Sequence, residues 1–156
     1  MGFPKRIDLT GFVLESGERA LIRAEIVGGS ALATTEAFHL LLENSERIEW
    51  WQIKHVSFNP DLEILNLVTE FSAAEVRLVG PSKIAEVVRE RVTATILAST
   101  TYVTATRAKA VISLRRKLVG RMEENFIEID WQGSPSPGAI AEAQLRGQTL
   151  FRQASF

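Results

Sequence analysis

The sequence predicts an α+β protein built on antiparallel sheet, and three observations carry that prediction. Residues 20–79 fall into short runs that alternate apolar with polar side chains, the period of half-buried strands. The connections between those runs are a few residues long, too short for the crossovers that parallel strands need. After Gly80-Pro81-Ser82, and again near the C-terminus, the pattern switches to helical spacing.

Taken in order, residues 20–27 alternate Ala20, Ile22, Ala24 and Ile26 with Arg23 and Glu25, and Gly28-Gly29 marks a turn. Residues 30–34 and 37–43 give two further strands, the second with Phe38, Leu40 and Leu42 on one face. Residues 47–50 and 55–59 follow, Val56 and Phe58 pointing inward in the latter, and Asn59-Pro60-Asp61 supplies turn chemistry. Residues 62–69 are apolar on both faces, and residues 75–79 close the series. A helix then opens at Pro81 with Gly80 or Ser82 as its cap, and Ile84, Val88, Val92 and Ile96 form its stripe. Arg91 projects near the middle of that apolar arc, which predicts an inward strut paired with a carboxylate or a stem lying along the stripe.

Beyond it, Ala108, Ala110, Ile112 and Leu114 alternate with Arg107, Lys109, Val111 and Ser113, and residues 125–131 return with Ile127, Ile129 and Trp131 on one face. Setting Ile112 opposite Ile127 places Lys109 against Asp130 and Arg115 against Glu124. Residues 132–138 are a Pro, Gly and Ser loop. A last helix presents Ala139, Ile140, Ala143, Gly147, Leu150 and Phe151 on one side, with Glu142 and Arg146 four apart.

Composition limits the chemistry. The 156 residues are 46% apolar and 24% charged with a net charge of −1, ordinary values for a globular protein and unsuited to a general nucleic-acid binder. With no cysteine there is no thiolate ligand, thiol nucleophile or disulfide, which fits a cytoplasmic setting. The longest uncharged run, residues 92–106, is threonine-rich and too short to span a bilayer, so no transmembrane segment is expected. His39 and His55 stand in no metal-ligand spacing, and no phosphate loop or nucleophile elbow is present. The expectation is therefore no enzyme, no catalytic residue, no cofactor and no metal.

Residues 33–40, Ala-Thr-Thr-Glu-Ala-Phe-His-Leu, and residues 47–53, Arg-Ile-Glu-Trp-Trp-Gln-Ile, resemble bacterial PH-like (GRAM-like) domains, with Glu36 where those carry aspartate and Glu49 where they carry proline. The Arg-Glu-Arg-Val-Thr-Ala stretch of residues 89–94 resembles the equivalent helix of an actinobacterial family with no assigned activity. The resemblance spans residues 14 to 152. It implies an antiparallel PH-like β-barrel or roll capped by a helix (residues 1–101), followed by a β-hairpin and a C-terminal helix packed as an extension of the same domain (residues 102–156).

The functional expectation is a non-catalytic binding or adaptor module that offers a strand edge or groove to a protein partner. The basic run Arg115, Arg116 and Lys117, with Arg121, is one candidate contact surface, and Trp51 of the Trp50-Trp51 pair is another. The alternative is a sensor of anionic lipid at a membrane surface, a weak peripheral contact through that basic hairpin tip. Apolar faces of the last helix and hairpin also allow self-association.

Overall fold

Seven strands and a helix make up the first part of the chain in the computed structural model, which describes residues 6–119 and 122–154. Strands β1 (Ala20–Ile26), β2 (Gly29–Thr34), β3 (Ala37–Leu41) and β4 (Ser45–Glu49) form a four-stranded antiparallel sheet in that order. Strands β5 (Ile53–Asn59), β6 (Ile64–Thr69) and β7 (Ala73–Arg77) form a three-stranded antiparallel one. Helix α1 (Ile84–Ala94) follows, and the Ser82 hydroxyl accepts the Ile84 N–H at 3.2 Å to cap it.

The alternation read in the sequence fixes which side chains meet. Ala33, Phe38 and Ile48 lie in one cross-strand row and Ala24, Ala31 and Leu40 in the next, all buried. Leu65, Leu67 and Val76 from the second sheet and Leu78 just beyond β7 join them, together with Ile84, Ala85, Val88 and Val92 of α1. The three alanines leave room for the rings of Phe38 and Trp50, whose centroids are 6.2 Å apart. Gly29 is fixed by the close approach of β3: a Cβ there would run into the Leu41 carbonyl oxygen.

The expected barrel is not closed. On one side the sheets meet through an isolated bridge between Ile26 and Leu78, flanked by Val27 N–H to Arg77 O at 2.9 Å and Val79 N–H to Glu25 O at 3.0 Å. On the other side no ladder joins β4 to β5 among the described residues. A 3₁₀ turn, Trp50–Gln52, intervenes, and the Gln52 side chain takes the Glu49 N–H at 2.9 Å. That capping bond ends the strand where pairing would have had to continue.

The described chain divides into two compact units, one reaching to Thr93 and one beginning at Ala94. The second holds β8 (Ile96–Val103), β9 (Lys109–Val119) and β10 (Met122–Gln132) in the order β10-β9-β8, and helix α2 (Pro137–Gln153). Ile96 belongs to this sheet and does not extend the α1 stripe, because the Thr95 carbonyl accepts the Arg116 N–H at 2.7 Å and turns the chain into β8.

Register in the hairpin differs from the expected one by two residues: Ile112 faces Ile129, Leu114 faces Ile127, and Lys117 faces Glu124. The ladder begins at the Val119–Met122 pair, closer to the tip than the apolar pattern alone suggests. A two-residue slip keeps every side chain on its face, so the apolar face is as expected while the cross-strand partners change.

Helix α2 is capped by Ser136, which accepts the Ala139 N–H at 3.2 Å ahead of Pro137. Its small residues Ala139, Ala143 and Gly147 are buried, and a Cβ on Gly147 would come within 2.8 Å of Ile127 Cγ2. The helix thereby sits close upon Ala110 and Ile112, with Tyr102, Ile127, Ile129, Trp131 and Leu150 around them. Tyr102 and Trp131 meet edge to face at 6.3 Å. Ile140 and Phe151, expected on the packed side, are 40% exposed.

Candidate functional site

The face of the β1–β4 sheet turned away from the core carries the chemistry of the first unit. Register lines up Arg23, Leu32, His39 and Arg47 across its four strands. An outward row would ordinarily be solvated, yet Leu32 is fully buried and His39 nearly so. The segment of residues 8–18 lies against this face. The Arg23 guanidinium donates to the carbonyls of Asp8 at 2.9 Å and Thr10 at 3.2 Å and stands 5.2 Å from the Phe12 ring. Phe12 in turn meets His39 edge to face at 6.1 Å. Gly11, at φ +90°, brings the backbone onto Leu41.

Where this segment joins β1, Glu18 is folded under it with its side chain wholly buried. One carboxylate oxygen accepts the Glu15 N–H at 3.0 Å, and the other meets the Thr34 hydroxyl, His39 Nε2 at 2.9 Å and the Arg47 guanidinium at 3.6 Å. Burial pushes the Glu18 carboxyl up, but donation from His39, Thr34 and the Glu15 amide, with the Arg47 charge, outweighs it and holds the group below its ordinary value. An ionised carboxylate only accepts hydrogen bonds, so His39 Nε2 carries a proton toward it.

Arg47 serves four carboxylates. Its guanidinium is 2.8 Å from Glu49, 3.5 Å from both Glu15 and Glu36, and 3.6 Å from Glu18. Burial lowers its affinity for the proton, but the Glu49 bond and the charges of Glu18 and Glu15 more than offset this and raise it above its ordinary value. Its Nε is buried without a hydrogen-bond partner. Burial, and then the Glu18 charge, raise Glu36 above its ordinary value despite the pull of Arg47. A cavity of about 130 Å³ opens beside His39 and Arg47, bounded by Phe12, Val13 and Ser45.

Strand β4 is also the last strand of its sheet. Trp50 N–H bonds back to Glu36 O at 3.4 Å, on the β3 side, whereas Glu49 N–H turns the other way to Gln52. Backbone groups alternate along an antiparallel strand, so the N–H and C=O of Ser45 and Arg47 point away from β3 with Glu49. A short open edge thus borders the carboxylate cluster.

The sequence-stressed residues fall in different places. Arg115 is 1% exposed: its guanidinium meets Glu128 at 3.1 Å and the Thr95 hydroxyl at 2.7 Å, so it is no surface contact. Beside it, Phe126 lies opposite in the ladder, where Glu124 was expected. Arg116 is 3.8 Å from Glu123, and Lys117 stands 5.6 Å from the Phe126 ring. Arg121 lies outside the described residues. Trp50 is buried and donates to Thr34 O at 2.9 Å, while the half-buried Trp51 donates to Glu49 at 2.6 Å. Both belong to the 3₁₀ turn, so Trp50 leaves the strand expected over residues 47–50.

Arg91 is half-buried and forms no carboxylate pair among the described residues, in contrast to the expected strut. It occupies the last turn of α1, where the helix dipole favours a cation, and its stem can follow the stripe while the charge reaches water. His55 is on the exposed face of β5. Among the described residues no group of three His, Asp or Glu side chains could hold a metal ion, and no helix is long and apolar enough to cross a membrane.

Glu18 and its contacts had no sequence signal beyond the lone His39 on a polar strand face. The chain matches no family model, no curated protein and no solved structure.

Proposed function

We propose that the protein is a non-catalytic binding module whose first unit takes an extended, Lys- or Arg-bearing segment of a partner protein along the β4 edge. The observation that carries this reading is the pairing of an open strand edge with under-neutralised acid. Among the described residues Arg47 bridges Glu15, Glu18, Glu36 and Glu49, and the Glu36 carboxyl, raised first by burial, is raised further by repulsion from Glu18, Glu15 and Glu49. A strand added beside Ser45 and Arg47 gains main-chain hydrogen bonds, and a cation on it relieves that repulsion. The four-plus-three strand order followed by α1 supports reading this unit as an open PH-like roll, with the function resting on its edge and not on the fold.

Catalysis has less to draw on. Glu18, the oriented acid, is spent on His39, Thr34 and the Glu15 amide, and Phe12 closes over the imidazole. The anionic-lipid alternative is weakened in the same way, since Arg115 is committed to Glu128 and Arg116 lies 3.8 Å from Glu123.

Fluorescence polarisation with labelled extended peptides of alternating Lys and Val, Ser and Val, and Glu and Val tests the proposal. The Lys peptide should bind, weaken about tenfold with Glu36→Gln, and lose binding when its backbone amides are N-methylated. Equal binding of the Lys and Ser peptides would remove the charge argument. Undiminished binding of the methylated peptide would remove the edge.

A further inference from the structure

The second unit carries a different open edge, and its chemistry selects a different occupant. Strand β8 ends its sheet, and six of its eight residues are exposed, with Ile96, Leu97 and Val103 between 41% and 61% exposed. No charged residue occurs from Val92 to Thr106. Such an edge is unusual, because proteins commonly guard long edge strands with charge or proline. The opposite edge of this sheet, β10, follows that practice with Glu123, Glu124, Glu128 and Asp130.

The backbone groups of β8 divide cleanly. Thr104 N–H bonds to Ala108 O at 2.8 Å, and the register continues through Tyr102–Ala110 and Thr100–Ile112. Alternation then turns the N–H and C=O of Ser99, Thr101 and Val103 away from β9. We propose that a second copy of this chain occupies that edge, with β8 pairing antiparallel to its counterpart about a two-fold axis at Thr101.

In this register Thr101 faces Thr101 of the second copy, and Ser99 faces Val103 in both directions. Each of the six outward groups gains a partner, which no other symmetric register about this strand achieves. The result is one six-stranded sheet with both α2 helices on the same face. The absence of charge lets two identical edges approach without repulsion, whereas two β10 edges would bring acids together. A groove of about 340 Å³ between Thr100 and the Leu145–Thr149 turn of α2 lies beside the new seam, and Leu145 is 58% exposed there. Three residues' worth of rungs with little further burial makes a modest interface, so the dimer should dissociate at about 1–100 µM.

The register supplies its own test. Thr101 is exposed on the face away from α2, so Thr101→Lys and Thr101→Glu should leave the fold intact while each places like charges face to face. Sedimentation velocity up to about 200 µM should show wild-type dimer, monomer for each variant alone, and dimer again when the two variants are mixed. Hydrogen exchange on the wild type should slow at Ser99, Thr101 and Val103 as concentration rises, with Thr100 and Tyr102 unchanged because β9 already holds them. A wild type that stays monomeric, variants that still dimerise, or protection that grows elsewhere would each overturn the proposal. Dimer formation without rescue in the mixture would overturn the Thr101-centred register.

Discussion

Replacing Glu18 by glutamine isolates what the buried carboxylate contributes, because shape is kept and only charge and one acceptor are lost. The wild-type carboxylate receives the Glu15 amide, the Thr34 hydroxyl and His39 Nε2, with Arg47 at 3.6 Å. Hydrogen bonds to a charged acceptor contribute about 1 kcal/mol more than neutral ones, and the glutamine NH₂ must confront one donor it cannot accept. Three such bonds give a loss of about 3 kcal/mol at neutral pH. The pH dependence follows from the folded-state value lying below the ordinary one: the contribution is complete above the unfolded value and is lost as pH falls through the folded value. Wild type and variant should therefore converge in acid. Urea unfolding in a Trp131→Phe background, where Trp50 and Trp51 report the first unit, measures the difference at successive pH values. A loss below about 1 kcal/mol, or one unchanged from pH 7 into acid, would refute the reasoning.

Glu36 should behave in the opposite sense. Its folded value is raised, so the cost of ionisation is complete above that value, declines as pH falls through it, and is gone only below the ordinary, unfolded value. Glu36→Gln should accordingly stabilise by about 0.5 kcal/mol at pH 7 and change nothing in acid, read by the same urea titration. In the second unit, Glu128→Gln removes the charge paired with the 1%-exposed Arg115 and should cost about 3 kcal/mol, with little relief from salt, by Trp131 fluorescence. Gly147→Val should lower stability by about 2 kcal/mol, since its Cβ would crowd Ile127 and the helix gains little propensity from valine; thermal unfolding checks it.

The strands of the first unit were legible because each satisfies its own local pattern. Seven short runs became seven strands, and Phe38 and Leu40 face the core as their alternation implies, while Leu42, expected with them, lies beyond β3 and is exposed. Strand β8 was harder to see, since its exposed threonines and aliphatics give β-propensity without alternation. The two-residue register error in the hairpin arose from matching apolar faces, which constrains parity but not which residue stands opposite which.

The site was illegible for a physical reason of the same kind. Period two states which side chains leave the core; it does not state what then covers them. Leu32 and His39 are on the outward face by pattern and are buried only because residues 8–18, which have no period of their own, lie over them. Glu18 precedes β1 in a polar stretch that reads as solvent-exposed, and its burial depends on Thr34, His39 and Arg47 arriving from three strands at once. Edges obey the opposite logic. Whether a strand ends a sheet is set by topology, but the occupant proposed for it is argued from its own residues: the acids around Arg47 for a cation, and the uncharged β8 for its own copy. Strand order therefore had to come first, and the short linear patterns at β4 and β8 acquired meaning only once they were known to be edges.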